Sequence, residues 1–180
     1  MKIMQLKNSS THFGLIAILL HWVMAIIIIG LLASGLYMVG LHIGLQKLKL
    51  YGWHKEYGLL ILGLVIIRLC WRLINTTPRL SLPWWELLAA RLVHWAFYGF
   101  MIAMPITGWL ITSAAGLPAS FFNLFTLPNL IAPNPELLPV FEAIHQWLGY
   151  ALIVTIVLHM LAALKHHFIN KDDILRRMMS

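Results

Sequence analysis

The amino-acid sequence contains four long apolar runs, and each is long enough to cross a lipid bilayer as a helix. A transmembrane helix needs about 20 consecutive, mainly apolar residues to cross the hydrocarbon core. Hydrophobic residues make up 61% of the 180 residues and charged residues only 11%, which excludes a soluble domain. The sequence therefore predicts an all-α integral membrane protein, a bundle of four transmembrane helices with spans at about 14–39, 51–73, 87–111 and 141–166.

The length of the chain predicts a single transmembrane domain that covers residues 1–180. The first run is predicted to remain in the protein, because it is about 25 residues long and no small-residue cleavage site follows it. The long connection at 112–140 is rich in proline and has an apolar centre around Phe121 and Phe125. We predict that this connection lies on the membrane surface.

The positive charges orient the predicted bundle in the membrane. Ten of the 13 lysines and arginines lie on one side of it, and the positive-inside rule places that side in the cytoplasm, with both termini and the second loop. The net charge of +7 is spread between apolar runs rather than gathered in one basic block, so a nucleic-acid partner is not indicated. The ten inner residues are Lys2, Lys7, Arg68, Arg72, Arg79, Arg91, Lys165, Lys171, Arg176 and Arg177, and the three outer ones are Lys47, Lys49 and Lys55.

Two histidines of the fourth run, His145 and His159, are 14 residues apart. Fourteen residues make just under four helical turns, so both side chains point to nearly the same face, roughly 21 Å apart along the axis. An ionisable, metal-binding side chain inside a bilayer is costly and marks a functional site by default. Two such side chains on one face predict two stacked sites that are served by one helix.

Three further histidines lie within the predicted spans, and the orientation of each span gives their depth. His54 lies near the outer face together with His145, and we call this pair the outer level. His21, His94 and His159 lie in the cytoplasmic half, and we call these three the inner level. A haem iron takes two axial imidazoles from opposite sides, and facing helices of a bundle can supply them. The pattern predicts one haem at each level, with either His21 or His94 as the inner partner of His159.

The type of haem follows from the cysteine content. Cys70 is the only cysteine, so an internal disulfide is excluded, and the C-x-x-C-H signature of covalent haem attachment is absent. Cysteine ligands for an iron–sulfur cluster are missing as well. The two predicted haems are therefore of the non-covalent b type.

Three of the candidate ligands have a second informative residue 14 positions later, on the same face of the helix. Because 14 residues span the distance between the levels, each of these residues lies at the level opposite to that of its histidine. Gly35 and Gly108 follow the inner-level histidines of the first and third spans, where a glycine lets a flat macrocycle approach the backbone. Ordinary packing of small residues between helices is the alternative explanation. Arg68 follows the histidine of the second span and falls at the inner level, where its guanidinium could pair with a haem propionate or serve only as a topology charge.

Four segments of the chain carry a more specific pattern. They are LLHWVMAIII in the first span, WHKEYGLLILGLVIIRLCWR in the second, RLVHWAFYGFMIAMPITGWL in the third and HQWLGYALIVTIVLHMLAALKHHFINKDDILRRM at the end. Together they resemble the prokaryotic cytochrome b561 family over nearly the whole chain. That family includes the bacterial superoxide oxidase and is related to the cytochrome b subunits of membrane-bound hydrogenases and formate dehydrogenases.

The resemblance implies a four-helix bundle with two b haems in the bacterial inner membrane. It implies the axial pairs His21–His159 and His54–His145, and so favours His21 over His94 at the inner level. His94 would then lie near a propionate or the quinone that the family uses as substrate.

We interpret the chain as a transmembrane carrier of electrons between a periplasmic one-electron donor, with superoxide favoured, and membrane quinone. This would make it an oxidoreductase of the superoxide:quinone type. Lys47, Lys49 and Lys55 lie close to His54 in the sequence and could attract an anion, although interfacial solubility also explains them.

Two other classes of function remain open at this point. The chain could be a cytochrome b subunit that exchanges electrons with a partner dehydrogenase or a periplasmic redox protein, docked on residues 112–140. It could also be a structural or transport bundle without haem. That third class predicts that alanine is tolerated at His145 and His159.

Overall fold

The computed structural model describes residues 5–78 and 82–179, and most of them belong to four long helices. The helices are α1 (Leu15–Val39), α2 (Leu45–Ile74), α3 (Trp84–Ala114) and α4 (Leu138–Lys165). Each is long and apolar enough to cross a membrane, which confirms the predicted all-α bundle of four helices. Two of the charges used to orient the bundle, Lys2 and Arg79, lie outside the described residues.

Glycine and proline mark several helix ends. Gly40 follows the last residue of α1, and Gly44 precedes the first residue of α2, so the connection between these helices is short. Pro83 precedes α3 directly, where its fixed φ angle and missing N–H group suit a helix start. Pro105 lies inside α3, and it is buried, so its lost backbone hydrogen bond is shielded by protein rather than exposed to lipid.

The helices pack in chain order, α1 on α2, α2 on α3 and α3 on α4. The core lies among the first three and is formed by Met24, Ile61, Val65, Tyr98 and Met101. Within the four helices, which the structure describes in full, α4 makes no comparable backbone approach to α1 or α2. α4 therefore faces α1 and α2 across a wider separation than the packed pairs have.

The connection between α3 and α4 contains a short antiparallel hairpin, which its apolar composition did not predict. Its strands are β1 (Ala119–Phe121) and β2 (Phe125–Leu127), with Ser120 paired to Thr126. Phe122, in the turn, has a φ of 47°, an unusual value for a bulky side chain. Its ring packs edge-on against Tyr57 of α2 at a centroid distance of 5.3 Å. The hairpin thereby lies against α2 one helical turn beyond His54.

The segment after α4 folds back on the same end of the bundle. A single π-helical turn, His166–Asn170, continues α4, and the His166 Nδ1 atom lies 2.6 Å from a carboxylate oxygen of Asp172. The indole N–H of Trp22 on α1 donates to the Met178 carbonyl oxygen at 2.7 Å. These contacts tie the C-terminal segment to α1 next to His21.

Candidate functional site

The five intramembrane histidines form two groups in the structure. At the outer level, the rings of His54 on α2 and His145 on α4 have centroids 6.2 Å apart. At the inner level, the centroids of His21 on α1 and His159 on α4 are 6.4 Å apart. His94 on α3 lies 6.0 Å from His159 in the same way. The long helix α4 thus presents one imidazole to each group, as its 14-residue spacing predicts.

The spacing of these rings fits the geometry of a metal ion held between two imidazoles. Two metal–nitrogen bonds of about 2 Å and the half-widths of two rings place the ring centroids about 6 Å apart. The observed separations of 6.2 and 6.4 Å agree with this value. The wider separation of α4 from α1 and α2 falls between the members of both pairs. The residues present at each level therefore fit a metal ion held between two imidazoles.

Ring distances alone do not select the inner partner of His159. His94 and His21 lie at nearly equal distances from it, 6.0 and 6.4 Å. The two residues differ in exposure, since His94 is exposed and His21 is partly buried. Positive side chains lie near both rings, since Arg68 contacts Nδ1 of His21 and both Arg72 and Arg68 interact electrostatically with His94. The pair His21–His159 stays a prediction from the family resemblance.

A hydroxyl group contacts Nδ1 of each outer-level histidine. The Thr107 hydroxyl on α3 lies 2.9 Å from Nδ1 of His145, and it also donates to the Met104 carbonyl oxygen at 2.9 Å. The Ser34 hydroxyl on α1 lies 3.2 Å from Nδ1 of His54 and donates to its own helix in the same way. Each outer imidazole is therefore held by a helix other than its own.

A glycine follows each of these two hydroxyl residues and lies directly against the same imidazole. A Cβ atom added at Gly35 would lie 3.4 Å from Cε1 of His54, and one added at Gly108 would lie 3.5 Å from Cε1 of His145. A Cβ atom at either position would therefore be in ordinary van der Waals contact with the ring, and only a side chain that extends beyond Cβ would press on it. Their predicted contact with a macrocycle stays a prediction.

The inner level has guanidinium groups where the outer level has hydroxyls. Both terminal nitrogens of Arg68 lie 3.4 Å from Nδ1 of His21, which is long for a hydrogen bond. Arg72 lies over the ring of Tyr98, with its guanidinium carbon 5.5 Å from the centroid. Arg68 is thus placed at the inner level as its 14-residue distance from the outer-level histidine of α2 predicts, and its contact with a propionate stays a prediction.

A buried apolar layer separates the two levels. Only 3%, 7% and 4% of the surface is accessible to solvent in Ile61, Met101 and Leu152, respectively. Each lies seven residues, about two helical turns, after a histidine of its own helix, so these side chains share the faces that carry the histidines. On each of α2, α3 and α4, one buried apolar side chain therefore lies midway between the two levels.

The three outer lysines all lie in the first half of α2. The Lys47 ammonium donates a hydrogen bond to the Leu41 carbonyl oxygen at 2.8 Å, so this side chain already has a partner within the protein. Lys49 is exposed, and Lys55, next to His54 in the sequence, is partly buried. Lys49 and Lys55 therefore remain the stronger candidates for attracting an anion.

Reading the sequence missed the two hydroxyl residues, although a signal for them exists. Helices α1 and α3 share a pattern in which a His-Trp pair is followed by a hydroxyl residue and a glycine at the same distance. The pattern consists of His21-Trp22 with Ser34-Gly35, and His94-Trp95 with Thr107-Gly108. This internal repeat places equivalent groups on both helices at the outer level.

The chain is similar to a known protein family and to several known proteins. Residues 12–180 match the family model described as prokaryotic cytochrome b561. "Cytochrome b561 homolog 2" of Escherichia coli (strain K12) is 38% identical over 187 residues, which cover 98% of this chain and 95% of that protein. "Probable superoxide oxidase CybB" of Yersinia pestis is 34% identical over 128 residues, which cover 70% of this chain and 72% of that protein.

Proposed function

This chain belongs to the prokaryotic cytochrome b561 family, and we propose that it is a transmembrane electron carrier with two b haems in series. Membership makes it a bacterial membrane cytochrome that binds b-type haem and takes part in electron transport. Beyond family membership, we propose the number of haems, the residues that bind them and the two redox partners. When bound, haem b supplies the one-electron redox chemistry.

The observation that carries the proposal is the stacking of two imidazole pairs on one helix. His145 and His159 of α4 each face an imidazole of another helix at a distance that suits one iron. We assign the axial pairs His54–His145 and His21–His159. The two irons would lie about 20 Å apart by helix rise, with the apolar layer around Leu152 between them.

The remaining site residues would hold the haems and adjust their reduction potentials, and they would not take part in the reaction themselves. Arg68 would exchange its long contacts with His21 for a bidentate pair with a propionate, because a carboxylate attracts a guanidinium more strongly than a neutral ring nitrogen does. His94, which is exposed at the inner level, would lie beside a propionate or the quinone. Gly35 and Gly108 lie beside the outer imidazoles.

We propose superoxide as the donor and membrane quinone as the acceptor. Two superoxide ions would each give up one electron and leave as dioxygen, and one quinone would take both electrons and two protons to become quinol. The similarity to a probable superoxide oxidase and the lysines in the first half of α2 support the donor. The charge distribution supports a chain in the inner membrane with both termini in the cytoplasm.

One experiment tests both parts of the proposal, the two haems and the superoxide donor. A reduced-minus-oxidised spectrum of the purified protein gives the haem type, and the haem content per chain gives the number. Superoxide is then added to the oxidised protein. We expect a b-type spectrum, two haems per chain and fast reduction by superoxide. Two haems that stay oxidised would contradict the donor, and one haem or none would contradict the two-centre arrangement.

A second candidate function is a cytochrome b subunit that serves a partner protein. The hairpin favours it, since Leu124 and Phe125 at its tip are 75% and 55% exposed. A partner dehydrogenase or periplasmic redox protein would dock there in place of the small donor. Purification in a mild detergent separates the two candidates, because a subunit retains a partner in fixed proportion and a superoxide:quinone oxidoreductase does not.

A further inference from the structure

The contacts of Thr107 fix the position of a proton on His145. A threonine hydroxyl has one proton to donate, and a backbone carbonyl oxygen can only accept. The Thr107 hydroxyl lies 2.9 Å from both the Met104 carbonyl oxygen and Nδ1 of His145. Both contacts can be hydrogen bonds at once only if the hydroxyl donates to the carbonyl and accepts from an N–H group of the imidazole. The proton of neutral His145 therefore lies on Nδ1.

The same reasoning applies to the other outer-level histidine. The Ser34 hydroxyl donates to the Leu31 carbonyl oxygen at 3.0 Å and lies 3.2 Å from Nδ1 of His54. The proton of neutral His54 therefore also lies on Nδ1. On both rings this leaves the lone pair of Nε2, the nitrogen farther from the helix, for a metal ion.

We propose that Ser34 and Thr107 are positioning residues that hold both outer histidines in the Nδ1–H form and orient Nε2 towards one iron. This inference rests on the proposed two-haem arrangement and adds the groups that prepare its outer centre. The hydroxyls come from α1 and α3, whereas the ligands come from α2 and α4, so all four helices build the outer level. The glycine after each hydroxyl lies beside the same ring, where an added Cβ atom would be in van der Waals contact with Cε1.

A hydrogen bond from Nδ1–H to an acceptor makes an imidazole a stronger electron donor to its metal. A stronger donor stabilises ferric iron more than ferrous iron, which lowers the reduction potential of the centre. Two such bonds act on the outer level. Arg68 at the inner level can only donate, so its contact with Nδ1 of His21 is not a bond of this kind, and in the proposed arrangement it gives way to the pair with a propionate.

The test compares four variants of the full-length protein, purified with the haem that they bind, and uses a fifth variant, His159→Ala, to identify the outer potential. Thr107→Val and Ser34→Ala remove the hydroxyls, and Thr107→Ser keeps one. Thr112→Val is the matched control, because the Thr112 hydroxyl is buried on the same helix and donates to the Gly108 carbonyl oxygen at 3.0 Å. Haem per chain and the two midpoint potentials are measured, and the outer potential is the one that His159→Ala retains.

We expect Thr107→Val to raise the outer potential, up to about tenfold in the reduction equilibrium, which is about 59 mV for one electron. Loss of only the outer haem in Thr107→Val, with both haems kept in Thr107→Ser and Thr112→Val, would support the proposal equally. Ser34→Ala should act in the same direction, and Thr107→Ser should titrate like the unchanged protein.

Two results would overturn the inference. One is a Thr107→Val protein with both haems whose outer potential moves no further than that of Thr112→Val. The other is a Thr107→Ser protein as altered as Thr107→Val, which would assign the effect to the shape of the side chain rather than to its hydroxyl. Failure of the two-haem proposal would look different, because the unchanged protein would itself bind fewer than two haems.

Discussion

The outer and inner levels both present histidine rings but surround them with opposite hydrogen-bonding groups. At the outer level, neutral hydroxyls of Ser34 and Thr107 contact Nδ1 of the two histidines. At the inner level, the guanidinium of Arg68 contacts Nδ1 of His21. A hydroxyl whose proton is already used accepts from the ring, whereas a guanidinium only donates.

This difference gives the two levels different expected potentials. With one haem at each level, as proposed, acceptors at Nδ1 would favour ferric iron at the outer level, and positive charge would favour the reduced, less positive centre at the inner level. Arg72 adds a second guanidinium near the inner level through its contact with Tyr98. We therefore expect electrons to move from the outer level to the inner level without a moving part.

The largest expected effect is loss of one haem when a ligand is removed. His145→Ala should lose the outer haem and His159→Ala the inner haem, so each variant should bind one haem instead of two. Pyridine haemochromogen assays on the purified proteins count the haem. His42→Ala, at an exposed residue beyond the end of α1, is the control and should keep both. Full haem retention in either ligand variant would break the assignment of levels.

An effect of the same kind decides between the two inner-level candidates. His21→Ala should lose the inner haem, and His94→Ala should keep both, because His21 is the proposed partner of His159. Haem content and the low-spin ferric signal in electron paramagnetic resonance distinguish the two variants. The reverse outcome would make His94 the ligand, a result that its 6.0 Å distance from His159 permits.

A smaller effect should follow from removing the positive charge beside the inner level. Arg68→Gln should lower the inner reduction potential by about 59 mV, which corresponds to about 1.4 kcal/mol for one electron. The reason is that a positive charge that stabilises the reduced centre is lost. A redox titration should show the outer potential unchanged. Equal shifts of both potentials would mean that Arg68 does not distinguish the levels.

The smallest effect concerns the approach of an anion to the outer level. Lys49→Gln together with Lys55→Gln should slow reduction by superoxide by about threefold at low salt, because a local positive field raises the encounter rate. The difference should shrink at about 0.5 M salt, where charges are screened over a few ångströms. A double variant with the same rate as the parent at low salt would leave the lysines with an interfacial role only.

The helices and the histidine pattern could be predicted from the sequence because both follow from local spacing. An apolar run of sufficient length predicts a span, and 14 residues bring His145 and His159 to one face of α4 whatever surrounds them. The choice between His21 and His94 could not be made in this way, since both lie at the same depth on different helices.

The hydroxyl partners and the hairpin were not predicted, for physical reasons. Serine and threonine inside a membrane helix usually bond to a carbonyl of their own helix, so Ser34 and Thr107 did not stand out from Thr112. The repeat of a His-Trp pair with a hydroxyl residue and a glycine marks these two positions, but the packing of α1 against α2 and of α3 against α4 is needed to show that their hydroxyls meet a histidine. The hairpin depends on a left-handed turn at Phe122, a conformation that its sequence does not favour.

The buried layer of Ile61, Met101 and Leu152 also has an electrical consequence. It places weakly polarisable side chains between the two proposed centres, which would differ in depth by about 20 Å, or roughly two thirds of the hydrocarbon thickness. A charge that crosses the whole membrane does about 2.3 kcal/mol of work for each 100 mV of membrane potential. Electron transfer between the levels would therefore be electrogenic, and we expect its equilibrium constant to depend on the membrane potential.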